Sequence, residues 1–273
     1  MLTNQVAIIT GAGRGIGAAA AHLFAQQGAK VVVSDLDAGP AEETAAAIRA
    51  AGGEAIAIIG SVTRDGFPDE LVRQTVATYG KLNILVNNAG YTWDGVVHKM
   101  TDAQWQAILD VHLSAPFKLI RAAAPYMRDA AKQELDARQT PEPRCIINVS
   151  STSGLHGNAG QANYAAAKMG LVGLTKTIAK EWGRFGVRCN TVAFGFIDTR
   201  LTRSKDEGHA IDVDGQHVAL GIPEAMREMA KILIPLGRHG TVEDAAGGIL
   251  LLASPFAAYV TGHTLEVTGG AGI

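Results

Sequence analysis

Short apolar runs alternate along the chain with longer stretches whose apolar positions recur at helical spacing. VAIIT (6–10), KVVVSD (30–35), EAIAII (54–59), LNILVNN (82–88), CIINVSS (145–151), VRCNTVA (187–193) and HTLEVTG (263–269) read as strands. Runs this short and this apolar fit strands covered on both faces of a parallel sheet. Between them the pattern predicts helices over 15–27, 40–51, 65–79, 102–130, 161–183 and 242–253. Gly28, Gly52 and Gly80 close three of them, and Thr101 caps the long one. Strand–helix alternation with right-handed crossovers predicts an α/β, doubly wound Rossmann-type fold. Its parallel sheet has about seven strands, with helices on both faces.

Two segments stand outside the alternation. Residues 129–144, DAAKQELDARQTPEPR, are polar and end in Pro-x-Pro, which predicts an exposed insertion. Residues 199–239 are too long for a simple connection and predict a substrate lid with helical pieces. No linker divides the chain, so 1–273 is expected to form a single domain.

Composition narrows the function classes. The 273 residues carry a formal charge of −2, with no block of like charge. That speaks against a nucleic-acid or membrane partner. No apolar run is long enough to span a bilayer, and the first strand begins near Gln5, leaving no room for a leader; a cytoplasmic location is expected. Cys145 and Cys189 each lie inside an apolar run, outside any CxxC, and read as buried filler. The eight histidines form no ligand-like cluster, so no metal is expected.

TGAGRGIG (10–17) joins the first strand to the first helix. Glycines there let backbone approach a pyrophosphate, and the helix N-terminus supplies N–H donors. Gly11, Gly13, Arg14, Gly15, Ile16 and Gly17 are therefore cofactor-binding candidates. Asp35 ends the second strand, eighteen residues beyond Gly17. A carboxylate there accepts hydrogen bonds from ribose hydroxyls and repels a 2′-phosphate, which favours NAD(H) over NADP(H). Arg14 is the group that would hold a 2′-phosphate instead, and it keeps NADP(H) as the lesser alternative.

The fifth strand ends in Ser150-Ser151, and NYAAAKMG (163–170) follows. Tyr164 and Lys168 are one helical turn apart, on one face. Ligands of doubly wound sheets bind outside the carboxyl ends of the strands, where Ser151 is delivered. A carbonyl/alcohol redox site needs a hydrogen-bond donor, a proton exchanger and a hydride carrier. Ser151, Tyr164 and a nicotinamide fill these roles. The phenol's ordinary pKa is about 10, and a nearby ammonium from Lys168 is expected to lower it.

TGAGRGIG, NNAG (87–90), Ser151, Y164xxxK168 and YVTGHTLEVTGG (259–270) occur together in one order. In that order and spacing, over about 3–270, the chain resembles the classical short-chain dehydrogenase/reductase family. GNAGQANYAAAKMGL most resembles its 3-oxoacyl-(acyl-carrier-protein) reductase branch. The resemblance implies that Ser151 polarises the carbonyl and Tyr164 exchanges the proton. It implies that Lys168 binds the nicotinamide ribose and lowers the tyrosine's pKa. It places Asn88, Ala89 and Gly90 beside the adenosine ribose and Ile197 and Thr199 at the carboxamide end, and Asp35, Leu36, Ser61, Val62 and Gly195 are further cofactor-binding candidates. It also implies a homotetramer.

Three positions depart from the family pattern. His112 stands where an asparagine is usual, and its backbone carbonyl would still hold a relay water. It is both a catalytic candidate and a candidate helix-interior residue. Ser61 replaces the usual acidic residue near the adenine. Phe194-Gly195 replaces Pro-Gly, with Phe194 either lining the pocket or packing the core. Tyr91, Trp93, Leu155, His156, Phe194 and Phe196 suggest an aromatic and apolar substrate pocket. Arg200, Arg203 and Lys205 on the lid are a possible basic patch for an acyl carrier.

The expected substrate is a carbonyl or alcohol, with a 3-oxoacyl thioester first. An NAD-dependent secondary alcohol or hydroxysteroid dehydrogenase is the alternative. A non-catalytic dinucleotide-binding scaffold is the remote one, disfavoured because Ser151, Tyr164 and Lys168 are all present.

Overall fold

The computed structural model describes residues 1–204, 208, 210–213 and 216–272. Seven strands form one parallel sheet: β1 (Val6–Thr10), β2 (Lys30–Asp35), β3 (Glu54–Ile59), β4 (Ile84–Asn87), β5 (Arg144–Ser151), β6 (Val187–Phe194) and β9 (Thr264–Val267). Their order is β3-β2-β1-β4-β5-β6-β9, so the chain reverses direction across the sheet between β1 and β4. The fold is the doubly wound α/β class that the alternation predicts.

Side-chain alternation along the strands feeds two apolar layers. Ala7 and Ile9 of β1 face one layer, with helices α1 (Gly15–Gln26), α2 (Ala38–Ala50) and α10 (Val242–Ala253). Ile8 faces the other, with α3 (Phe67–Tyr79), α4 (Asp102–Leu109), α5 (Ala115–Ala124), α6 (Ala130–Asp136) and α8 (Ala162–Trp182). Fully buried Phe24, Ile48, Phe67, Leu71 and Leu119 anchor these layers. Each such side chain contributes about 1.5–3 kcal/mol of transfer free energy. Cys145 and Cys189 are both buried free thiols.

The long helix differs from its expected form. Residues 102–136 run as α4, α5 and α6, joined by π-helical turns at 110–114 and 125–129. Thr101 does cap α4, in a capping box with Gln104. The first π-turn places His112 towards the interior. The second carries the helix to Asp136, through much of the segment read as an exposed insertion. That segment is surface-lying but structured, because Arg144 needs an anion. Its buried guanidinium meets both oxygens of Glu134 at 2.6 and 2.8 Å, and Arg144 in turn holds the Glu134 carboxyl below the usual carboxylate range.

Three short elements, a helix and two strands, also lie outside the predicted set. α7 (Thr152–His156) follows β5 directly. The 199–239 segment, expected to form a lid, carries a hairpin, β7 (Ala210–Val213) with β8 (Gln216–Ala219), before α9 (Glu224–Leu233). Lys205 of the expected basic patch lies outside the described residues.

Candidate active site

The glycine loop is built by close packing. Gly11 and Gly15 adopt φ of +63° and +56°. A Cβ on Gly17 would lie 2.2 Å from the Gly11 carbonyl oxygen, and one on Gly11 would lie 2.8 Å from Ala89 Cα. Thr10 and Asn88 hold the NNAG segment against this loop. Thr10 Oγ1 accepts from the amides of Asn88 and Ala89 at 3.0 and 3.1 Å. Asn88 Nδ2 donates to the carbonyls of Thr10 and Gly11 at 2.9 and 3.1 Å. Among the described residues the Arg14 side chain makes no cap hydrogen bond at the α1 N-terminus and no acidic residue lies in its first turn, which leaves that end electropositive towards the loop.

Asp35 lies at the far end of this cradle. Its Oδ2 accepts from Gly13 N at 2.8 Å and its Oδ1 from Asp37 N at 3.1 Å. Arg14, the candidate 2′-phosphate ligand, is ion-paired to Asp37 at 2.5 Å. Leu36 is exposed beside them. Ser61 Oγ bonds Thr63 Oγ1 at 2.7 Å, and Val62 is buried. These residues fit a dinucleotide: an electropositive helix end for a diphosphate, a carboxylate at the ribose position, and glycines where a side chain would fill the cradle.

β5 delivers Ser151 in register with Phe194, and Ser151 Oγ caps α7 by accepting from Ser153 N at 3.2 Å. The glycine at 154 lets α7 lie on α8, since a Cβ there would stand 2.8 Å from Lys168 Cβ. Ser150 Oγ donates to the Lys168 carbonyl at 2.8 Å. Lys168 is buried; its Nζ donates to Val149 O at 2.7 Å and lies 5.4 Å from the Tyr164 ring centroid. The structure thus brings Ser151, Tyr164 and Lys168 together at the carboxyl edge of the sheet.

Burial sets the proton affinities here. It pushes the Tyr164 phenol up to about 12, against a hydrogen bond with Ser151 that lowers it; Asp94 raises it further. Burial also brings Lys168 down to about 7. The lowering of Tyr164 by Lys168 is therefore not realised in this arrangement. The ammonium is directed at Val149 O, its own charge is weakened by burial, and Ser151 acts on the phenol in its place.

His112 lies edge-on to Tyr164, with its Nε2 donating to Tyr91 O at 2.7 Å. Burial, then the Lys168 charge, hold it well below its ordinary value, so it is neutral. Its Nδ1 is buried with no hydrogen-bond partner among the described residues. Gly90 borders it: a Cβ there would fall 2.0 Å from His112 Cε1.

The substrate-pocket candidates divide. Trp93 is held beside Tyr164 through Asn163, and Leu155 and His156 follow Ser151 on α7. Tyr91 is buried and contributes the carbonyl that orients His112. Phe194 points into the layer with α1 and α10, across the sheet from Tyr164, so it packs the core. Phe196 stacks on His239, with ring centroids 4.3 Å apart. Gly195 donates to Val267 O, Ile197 is buried, and Thr199 reaches the edge of the glycine loop.

Asn163 is a site residue that no sequence motif marks. Fully buried, it donates to Trp93 O and Gln104 O at 3.1 and 3.0 Å and accepts from Tyr164 N at 2.8 Å. Its signal was an amide on the interior side of a first helical turn, next to the tyrosine. Gln161 adds a second tie, from Nε2 to Asp94 at 3.1 Å.

Comparison with known proteins agrees with this geometry. The short chain dehydrogenase family model matches residues 5–210. The chain is 40% identical to the 3-oxoacyl-[acyl-carrier-protein] reductase of Synechocystis sp., over 98% of this chain and 97% of that one. It is 38% identical to the corresponding FabG reductase of Thermotoga maritima, over 98% of both, and 35% identical to that of Escherichia coli, over 98% and 97%. A cradle for a dinucleotide, a serine–tyrosine–lysine cluster at the sheet edge and these full-length likenesses lead to one assignment: the chain belongs to the short-chain dehydrogenase family, oxidoreductases acting on CH–OH groups with a nicotinamide cofactor.

Proposed function

We propose that the protein is an NAD(H)-linked reductase of 3-oxoacyl thioesters. The observation that carries this reading is the meeting of Ser151, Tyr164 and Lys168 at the carboxyl edge of β5, opposite the glycine loop. The full-length relatives, named as reductases of 3-oxoacyl groups on acyl-carrier protein, support the substrate class. Asp35 supports NAD(H). Its carboxylate is pinned at the ribose position, and Arg14 is engaged by Asp37 rather than free for a 2′-phosphate.

A bound reduced nicotinamide would supply hydride chemistry for a ketone carbon. Ser151 Oγ and the Tyr164 hydroxyl hold the ketone oxygen. Tyr164 gives that oxygen its proton as the C=O bond becomes C–OH. A phenol kept protonated by burial is in the form that donates, which favours the reductive direction. Lys168 resupplies the proton and binds the cofactor's ribose, and His112 orients the ring of Tyr164 from the other side.

Homotetramer formation belongs to the same proposal. Exposed Leu251, Phe256 and Tyr259 near the end of α10, and Trp105, Phe117 and Met169 on α4, α5 and α8, offer apolar faces for it. Among the described residues no helix is long and apolar enough to cross a membrane. Two free buried thiols suit the cytoplasm.

The test is initial-rate kinetics with NADH and NADPH over acetoacetyl thioesters, ketosteroids and simple secondary alcohols. Preference for acetoacetyl thioester with NADH is expected, and Asp35→Ala should narrow the gap between the cofactors. Activity confined to steroids or simple alcohols would replace the substrate class. A clear NADPH preference would overturn the Asp35 argument.

A further inference from the structure

Four charged side chains gather where the lid meets the adenosine end of the cradle: Arg14, Asp35, Asp37 and Arg200. The lid arrives there through a tight turn. Thr199 N donates to Thr202 Oγ1 at 2.9 Å, and the Thr202 and Arg203 amides both donate to Thr199 O at 2.9 Å. Arg227 of α9 fastens this turn by donating to Thr202 O at 2.5 Å. The turn abuts the glycine loop, with Thr199 Cγ2 at 4.0 Å from where a Cβ on Gly15 would stand. Arg200 is next in the chain.

The cations around it have carboxylate partners. Arg14 pairs with Asp37 at 2.5 Å. Arg203 and Arg227 both face Asp198, at 3.7 and 3.5 Å. Arg200 makes no hydrogen bond and no ion pair among the described residues, although it is half-buried. Burial and the neighbouring Arg14 press its guanidinium down from its ordinary value, and Asp37 and Asp35 act in the opposite direction. A half-buried guanidinium, unpaired among the described residues and carried on a turn that abuts the glycine loop, can take an oxyanion.

We propose that Arg200 binds a phosphate of the dinucleotide, so that cofactor charge holds the first turn of the lid against the glycine loop. The inference rests on the dinucleotide reading above. It adds a cofactor contact from the lid to those from the loop and makes lid position depend on cofactor occupancy. The chemistry is a phosphate oxyanion, whether of the diphosphate or of a 2′-phosphate. Asp35 at the ribose favours the diphosphate.

Equilibrium binding of ADP-ribose, 2′-phospho-ADP-ribose and adenosine to the full chain tests this, with wild type compared to Arg200→Gln and Arg200→Lys. Arg200→Gln should weaken both phosphate-bearing ligands about tenfold, as the loss of one charge-assisted contact does, and leave adenosine unchanged. Arg200→Lys should recover part of the loss, and the wild-type advantage should shrink as salt is raised. A loss confined to 2′-phospho-ADP-ribose also supports the proposal and assigns the contact to the 2′-phosphate. Binding of both phosphate ligands within twofold of wild type overturns it, as does an equal loss for adenosine. If wild type binds none of the three ligands, the dinucleotide reading itself falls, and this one with it.

Discussion

His112 meets Tyr164 edge to face, with ring centroids 5.0 Å apart and planes at 87°. The contact explains two otherwise separate facts: the glycine at 90 and the π-turn at 110–114. The turn brings the imidazole inward, and the bare Cα of Gly90 leaves room for it. Neutral His112 can then lie beside Lys168 without adding a second buried charge.

Gly90→Ala should destabilise the fold by about 2 kcal/mol, because the new methyl overlaps the imidazole and the helix behind it must shift. The double variant Gly90→Ala/His112→Ala should recover much of that loss, since the second change opens the space the methyl needs. A denaturant-unfolding double-mutant cycle measures the coupling. Strict additivity of the two changes would sever the link between Gly90 and His112.

Stability should rise with pH on both sides of neutrality, through two buried bases, His112 below it and Lys168 above it. Lys168 is brought from its ordinary 10.5 to about 7, so between those values the unfolded chain binds a proton that the folded chain does not. Stability therefore rises as pH climbs through that window. His112 lies well below its ordinary 6.5, so stability is lost as pH falls through 6.5 and the unfolded chain protonates. Melting temperatures of wild type and Lys168→Met from pH 6 to 9 check the larger effect. The difference between them should move steadily in favour of wild type as pH rises; a flat difference would contradict the burial argument.

Asn163 ties three backbones together at the start of α8. Asn163→Ala leaves two part-buried carbonyls and one amide without their partner and should cost about 2 kcal/mol. Asn163→Asp is nearly isosteric but keeps only the acceptor function, facing the Tyr164 amide. It should lower kcat more than it raises KM, because it loosens the segment carrying Tyr164 and Trp93. Chemical denaturation and steady-state kinetics of the two variants separate anchoring from catalysis. Unchanged stability in both would show that the anchor is dispensable.

The seven parallel strands were legible because their apolar runs stand out from the polar helix faces, and glycines mark where the runs end. The cluster of Ser151, Tyr164 and Lys168 was legible because the strand-then-helix order delivers all three to one edge and their spacing, with the glycine-rich loop, matches the family pattern. The π-turn at His112 was not, since one extra residue in a turn barely alters helical spacing. Nor was the helix through 130–136. Its polar residues read as loop until the buried Arg144 supplies the reason for Glu134. Phe194 shows the limit most plainly. An aromatic at a strand end belongs to the pocket or to the core according to which face it takes, and here β6 turns it towards α1 and α10. Arg200 reads in the sequence as one member of a basic patch; only the packing, which pairs Arg14, Arg203 and Arg227 with carboxylates, sets it apart.

The most direct test of the central claim is the single-turnover rate of NADH oxidation by an acetoacetyl thioester with Tyr164→Phe. The account predicts NADH affinity within about twofold of wild type, with a hydride-transfer rate lower by roughly 10²–10⁴, the range that a positioned proton donor supplies. A rate within a few-fold of wild type, with NADH bound, would contradict the assignment of Tyr164 as the group that delivers the proton.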